Sequence, residues 1–146
     1  MKDYEPTRNL VLQILKTRMA FRQALQRRLK QNNIDMTFEM LQVMNSLWHE
    51  QGISQQTLAE NTAKDKACLT NLMNNLEKKG WVARKEDATD RRNRLVFLTP
   101  EGVKMSNRVL PLIKELYSQA GKQMGSEKIN TSINLLRELD EIFGQL

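Results

Sequence analysis

The 146 residues carry 23 Lys and Arg against 17 Asp and Glu, a formal net charge of +6, and 40% are hydrophobic but only 5% aromatic. That is the size of one domain or one subunit of a small oligomer, with enough apolar residues for a core and a composition that favours helices. No run is apolar for long enough to cross a membrane, the N-terminus lacks a secretory signal pattern, and one cysteine rules out an internal disulfide framework, so a cytoplasmic protein is expected.

The charge is unevenly placed. From Lys64 to Arg94 there are nine Lys/Arg against five Asp/Glu, whereas residues 1–63 hold eight against six and residues 99–146 six against six. A cationic excess confined to one stretch is the electrostatic footprint of a polyanion partner.

Over residues 7–33, Val11, Leu15, Met19, Leu25 and Leu29 recur at helical spacing with cations between them, and Asn32 and Asn33 supply helix-stop chemistry. Thr37 suits the N-cap of a second helix, with Glu39 in its first turn, Leu41, Met44, Leu47 and Trp48 on its apolar face and Gly52 ending it. Ser54 can cap a short third helix whose inner face is Leu58 and Ala59. Asp65 caps a fourth, in which Leu69, Leu72, Met73 and Leu76 fall at i, i+3, i+4 and i+7. The opposite face of that helix shows Ala67, Thr70, Asn71 and Asn74, with Lys66 beside them. Small and amide side chains suit close approach to base edges and bidentate pairing with adenine. Gly80 stands at the C′ position, behind Lys78 and Lys79.

Trp81, Val82 and Ala83 then read as a strand and Leu95, Val96, Phe97 and Leu98 as its partner, with the polar run RKEDATDRRNR between them. Thr99-Pro100-Glu101 is a strong helix start: a capping hydroxyl, proline at the first helical position and an acid in the first turn. The fifth helix continues past Pro111, which should bend it or remove a hydrogen bond, and loosens at Gly121 and Gly125. A last helix starts near Ser126 and carries Ile129, Ile133, Leu136, Leu139, Phe143 and Leu146.

The fold class is therefore mainly α with a small β-hairpin: a winged helix-turn-helix core flanked by N- and C-terminal helices. The apolar stripes of the first and last two helices have too little globular mass between them to be covered by one chain. They are expected to pack against the same helices of a second copy, a two-fold homodimer whose paired reading helices would meet a pseudo-palindrome. An arginine-tipped hairpin beside a polar helix face suits double-stranded DNA, the helix in the major groove and the wing on phosphates or in the minor groove.

The run from Ser54 to Gly102 resembles the DNA-binding core of the MarR family of bacterial transcription regulators. That family's wing motif is an Asp, any residue, an Arg, and a strand ending in Leu-Thr-x-x-Gly. Here it stands as DRRNRLVFLTPEG, with Asp90, Arg92, Leu98, Thr99 and Gly102 in the matching places, and the segment LEKKGWVAR is similar to the family's helix end and first wing strand. Thr62, Ala63 and Lys64 depart from the family's more usual apolar-Gly-apolar turn, and Asn93 stands for a usual Ala or Ser. The resemblance implies a single domain over 1–146: dimerisation helices over about 1–33 and 100–146, and a winged core over about 37–99. It also implies a dimeric operator-binding regulator, most often a repressor, that releases DNA when a small aromatic or anionic effector binds. Such an effector pocket would lie near Met36, Phe38 and Trp48.

The expected DNA contacts are Ser54, Gln55, Lys66, Ala67, Thr70, Asn71, Asn74, Arg91, Arg92 and Arg94. Ser54 and Gln55 stand where free helix N–H groups meet phosphate, though capping alone also explains them. Arg92 has a second role by resemblance, pairing with Asp90 to stiffen the wing. Cys68 reads as half-buried and, with no second cysteine to resolve a sulfenate, as a poor redox switch. His49, the only histidine, cannot build a multi-histidine metal site. With no Gly-rich phosphate loop and no paired acids, no catalysis, cofactor or metal is expected. The alternative is a winged-helix protein-interaction module, which would not need the polar helix face or the arginine-rich wing.

Overall fold

The computed structural model describes residues 2–146. Its elements in order are α1 (Glu5–Gln31), α2 (Phe38–His49), β1 (Ile53–Ser54), α3 (Gln55–Asn61), α4 (Lys66–Lys78), β2 (Val82–Glu86), β3 (Arg94–Leu98), α5 (Pro100–Met124) and α6 (Ser126–Gln145). The sheet has three antiparallel strands in the order β1-β3-β2, one more than the expected hairpin. The extra strand is short: Ile53 and Ser54 pair with Val96 and Leu95. The hairpin is also longer than the apolar residues indicated, since Arg84, Lys85 and Glu86 continue β2 opposite Val96, Leu95 and Arg94.

Three N-caps are those the sequence shows. Thr37, Ser54 and Asp65 are extended, and their side-chain oxygens accept from Met40 N, Thr57 N and Cys68 N. Each such bond contributes about 1 kcal/mol. Three helices also end alike. After α1, α3 and α4 the residue past the cap takes a positive φ: Asn33 at 57°, Ala63 at 52° and Gly80 at 77°. In each case the next residue's N–H reaches back across the turn, Ile34 to Leu29 O, Lys64 to Ala59 O and Trp81 to Leu76 O. This satisfies carbonyls the helix would otherwise leave open. The Thr62-Ala63-Lys64 departure therefore keeps the turn geometry and puts an alanine into a conformation that suits glycine.

These turns aim one core between α1, α2, α3, α4, the first part of α5 and the sheet. Leu25, Leu29, Val43, Met44, Leu47, Leu58, Leu69, Met73, Leu76, Val96 and Val109 are all essentially buried. Each contributes roughly 1.5–3 kcal/mol by leaving water. The junction of wing and α5 is tighter still. Thr99 Oγ1 accepts from Gly102 N, capping α5, and donates to Gly80 O, while Thr99 N donates to Trp81 O. A Cβ on Gly102 would stand 2.0 Å from Trp81 O. The Leu-Thr-x-x-Gly spacing thus has a steric cause: the threonine caps and the glycine lets the helix touch the backbone at the root of β2.

The chain forms two compact units, one ending at Leu110 and one spanning Pro111–Leu146. The first holds α1 and the winged core. Within it Ser106 is buried and its hydroxyl has no hydrogen-bond partner among the described residues, beside a cleft of about 10 Å³ lined by Leu41, Asn45, Trp48, Val109 and Leu110. The second holds the end of α5 and α6. α5 is one helix across Pro111, and no residue of α6 is buried.

Two substitutions test these turns by thermal or denaturant melting. Ala63→Gly removes the left-handed penalty of about 1–2 kcal/mol at the cost of more unfolded-state freedom, so it should stabilise by roughly 0.5–1 kcal/mol. Gly102→Ala should cost about 3 kcal/mol or more, because the group it meets is backbone and cannot rotate away.

Candidate nucleic-acid interface

A groove of about 750 Å³ opens between the start of α3, the exposed face of α4 and the wing. Gln55, Gln56, Ala59, Lys66, Leu69, Arg84, Asp90, Arg92, Asn93 and Arg94 line it. Of the expected contact residues, Gln55, Lys66, Arg92 and Arg94 are therefore brought together. Ala67, Asn71 and Asn74 are exposed on α4 and Arg91 is exposed in the turn of the wing. Ser54 is a cap in both senses, accepting from Thr57 N at 3.0 Å and donating to Thr57 Oγ1 at 2.9 Å.

The groove residue Arg84 is absent from the expected contacts. Arg84 lies on the face of β2 that also carries buried Val82, and its side chain is only 13% exposed. Its guanidinium binds Glu77 of α4 through Nε and Nη2, reaches Asn74 Oδ1 from Nη2 at 2.8 Å and lies 3.5 Å from Gln55 Oε1. A partly buried guanidinium needs an acceptor, and Glu77 supplies it. Arg84 thereby ties the wing to α3 and α4 at once. Strand alternation beyond Ala83 was the signal for it, since an arginine two residues after Val82 must point the same way.

Stiffening of the wing by Asp90 and Arg92 takes a different form from the expected ion pair. Asp90 Oδ1 accepts from the Arg92 main-chain N–H at 3.0 Å, an Asx turn, leaving the Arg92 guanidinium facing the groove. Asp87 makes a second such turn, accepting from Thr89 N at 3.0 Å and Thr89 Oγ1 at 2.8 Å. These bonds, the backbone one foremost, hold the Asp87 carboxyl below its ordinary pKa. The loop closes with Asn93 N on Asp90 O and Asp87 N on Asn93 O.

Cys68 is exposed rather than half-buried. It sits in the first turn of α4, one residue before buried Leu69, at the edge of the apolar stripe. His49 is exposed at the end of α2. Met36 and Phe38 are buried, and the Phe38 ring meets Phe21 edge-on at 6.2 Å with Arg22 over its face. Trp48 lies about 15 Å further along α2. It lines the 10 Å³ cleft, which neither Met36 nor Phe38 touches.

A family model for MarR matches residues 37–93, the winged core from the α2 cap to the wing. The transcriptional regulator HosA of Escherichia coli O157:H7 is 30% identical over 105 residues, which cover 72% of this chain and 78% of that one. This chain belongs to the MarR family. The crystal structure of NadR in complex with 4-hydroxyphenylacetate is 27% identical, with a TM-score of 0.73 over 88% of this chain and 89% of that one. A mutant MarR from E. coli complexed with operator DNA, 23% identical, shares the fold with a TM-score of 0.84 over 95% of this chain and 99% of that one.

The wing turn gives a pH test. Because the folded carboxyl of Asp87 titrates below its unfolded value, its contribution is complete above the ordinary carboxylate range and is lost as pH falls through the lower folded value. The Thr89 amide resonance, followed by NMR, should move with a midpoint below that of an unstructured aspartate. Asp87→Ala should leave this amide unprotected against exchange and the helices unchanged.

Proposed function

We propose that this chain is a transcription regulator that binds an operator in double-stranded DNA as a homodimer and acts as a repressor. The observation that carries the reading is the groove itself. Lys66, Arg92 and Arg94 converge there between an exposed polar helix face and a hairpin, with Arg91 at the tip. In a member of the MarR family this arrangement fits α4 in the major groove and the wing on the phosphates alongside.

The dimer is supported by apolar surface that one chain leaves open. On α1, Leu12, Leu15 and Met19 are 37%, 54% and 60% exposed, and on α6 Leu136 and Phe143 are 38% and 51% exposed. These residues share helical faces, as a partner helix requires. Both terminal regions would then act with the winged core as one functional domain.

An effector is the finer part of the proposal. NadR binds 4-hydroxyphenylacetate, so a small aromatic or anionic molecule is the class expected here, near Met36, Phe38 and Trp48. The cleft beside Trp48 in one chain holds at most a water, too little for such a molecule by itself.

Fluorescence anisotropy against DNA from upstream of the gene, beside a scrambled duplex, tests the readout. The native fragment should bind at least about a hundredfold tighter, and changing Arg91 and Arg94 to Ala should lower the salt slope by about two. Equal, weak binding of both duplexes would remove the specific-regulator reading. In sedimentation, the wild type should run at twice the chain mass, and Leu15→Glu should bring it to the mass of one chain with the winged core still folded.

A further inference from the structure

An arginine has five N–H donors and no acceptor, so every polar atom it touches must accept. That fixes the polarity of the side chains around Arg84. Asn74 turns Oδ1 onto Nη2 at 2.8 Å, and Gln55 turns Oε1 toward Nη1 at 3.5 Å. The far end is fixed as well. The Thr70 hydroxyl donates to Lys66 O at 2.8 Å, so it accepts from Gln55 Nε2 at 3.3 Å. From Arg84 through Gln55 and Thr70 to the Lys66 carbonyl, donors and acceptors run in one direction.

Asn74 is the exposed end of this network. The sequence pattern had pointed to bidentate pairing with adenine, in which the amide oxygen accepts from N6 while the nitrogen donates to N7. With Oδ1 turned onto a charged donor, the free end of the amide is Nδ2. That donor is met by guanine O6 and N7, by thymine O4 and by adenine N7, and is mismatched to cytosine, whose major-groove group is the N4 amino donor. We propose that Arg84, held by Glu77, is a positioning residue that fixes the Asn74 amide with Nδ2 toward the base edge, so that this position discriminates against cytosine. This rests on the proposed placement of α4 against base edges. Glu77 completes the device: it neutralises the guanidinium and holds it by two bonds, so that Arg84 remains in place whether or not DNA is present.

Selection from a pool of random-sequence duplexes, read by sequencing, tests the assignment with four proteins. The wild type should enrich a half-site, and Asn74→Ala should lose the preference against cytosine at one position of it. Asn74→Asp, which still accepts from Arg84 but has no N–H, should lose the same preference. Arg84→Met, which removes every donor and lets the amide turn Oδ1 outward, should admit cytosine at that position, each change amounting to about three- to tenfold in relative enrichment. An unchanged preference in Asn74→Asp, or in an Arg84→Met protein shown by circular dichroism to be folded, overturns the proposal. If Arg84→Met does not fold, Asn74→Asp decides alone. No enrichment by the wild type removes the operator reading and this inference with it, whereas enrichment that both Asn74 variants leave intact removes only this inference.

Discussion

Arg84 occupies an inward position on a strand, between buried Val82 and the turn of the wing, and brings a guanidinium there. A charge there must be matched or the strand would not lie against the helices. Glu77 matches it from α4 with two bonds, Asn74 and Gln55 accept one each, and the hairpin is thereby fixed to both helices of the reading head. The groove owes its shape to this one tie. Replacing it with apolar packing would hold the elements together but leave the amides of Asn74 and Gln55 free to turn, so geometry and polarity of the surface are set by the same group.

Much of the architecture was legible because it is written locally. Thr37, Ser54 and Asp65 cap the helices that follow them, and the stops after α1 and α4 fall on residues whose chemistry allows a positive φ. The Leu-Thr-x-x-Gly run was readable as a motif, but its cause, a helix turn touching the Trp81 carbonyl, needed the fold. What was not legible lies where a side chain answers to a distant neighbour. The wing strands were read only as far as their apolar residues, which left Arg84 in the polar run and hid its partners seven, ten and 29 positions away. Asp90 likewise binds the main chain of Arg92, a choice between two donors of one residue that spacing cannot make. The exposure of Cys68 turned on one position at the edge of a helix face, where a wheel projection divides least cleanly.

The same contrast holds for the long helices. The periodicity of α1 and α6 showed apolar stripes, and the structure leaves Leu15, Met19, Leu136 and Phe143 largely in water. Periodicity reports that a face wants cover; it carries no information on what covers it. Met36, Phe38 and Trp48 show the limit from the other side. They are near in sequence and apolar, yet two are spent on the core and the third lines only a small cleft.

The contact between Gly102 and the Trp81 carbonyl has a mechanical consequence. With no side chain between them, and with Thr99 bonded to both Gly80 and Trp81, the first turn of α5 and the root of β2 have no slack to slide. The start of α5 is in effect a lever arm soldered to the wing. A tilt imposed on that turn would therefore be felt at the base of the hairpin.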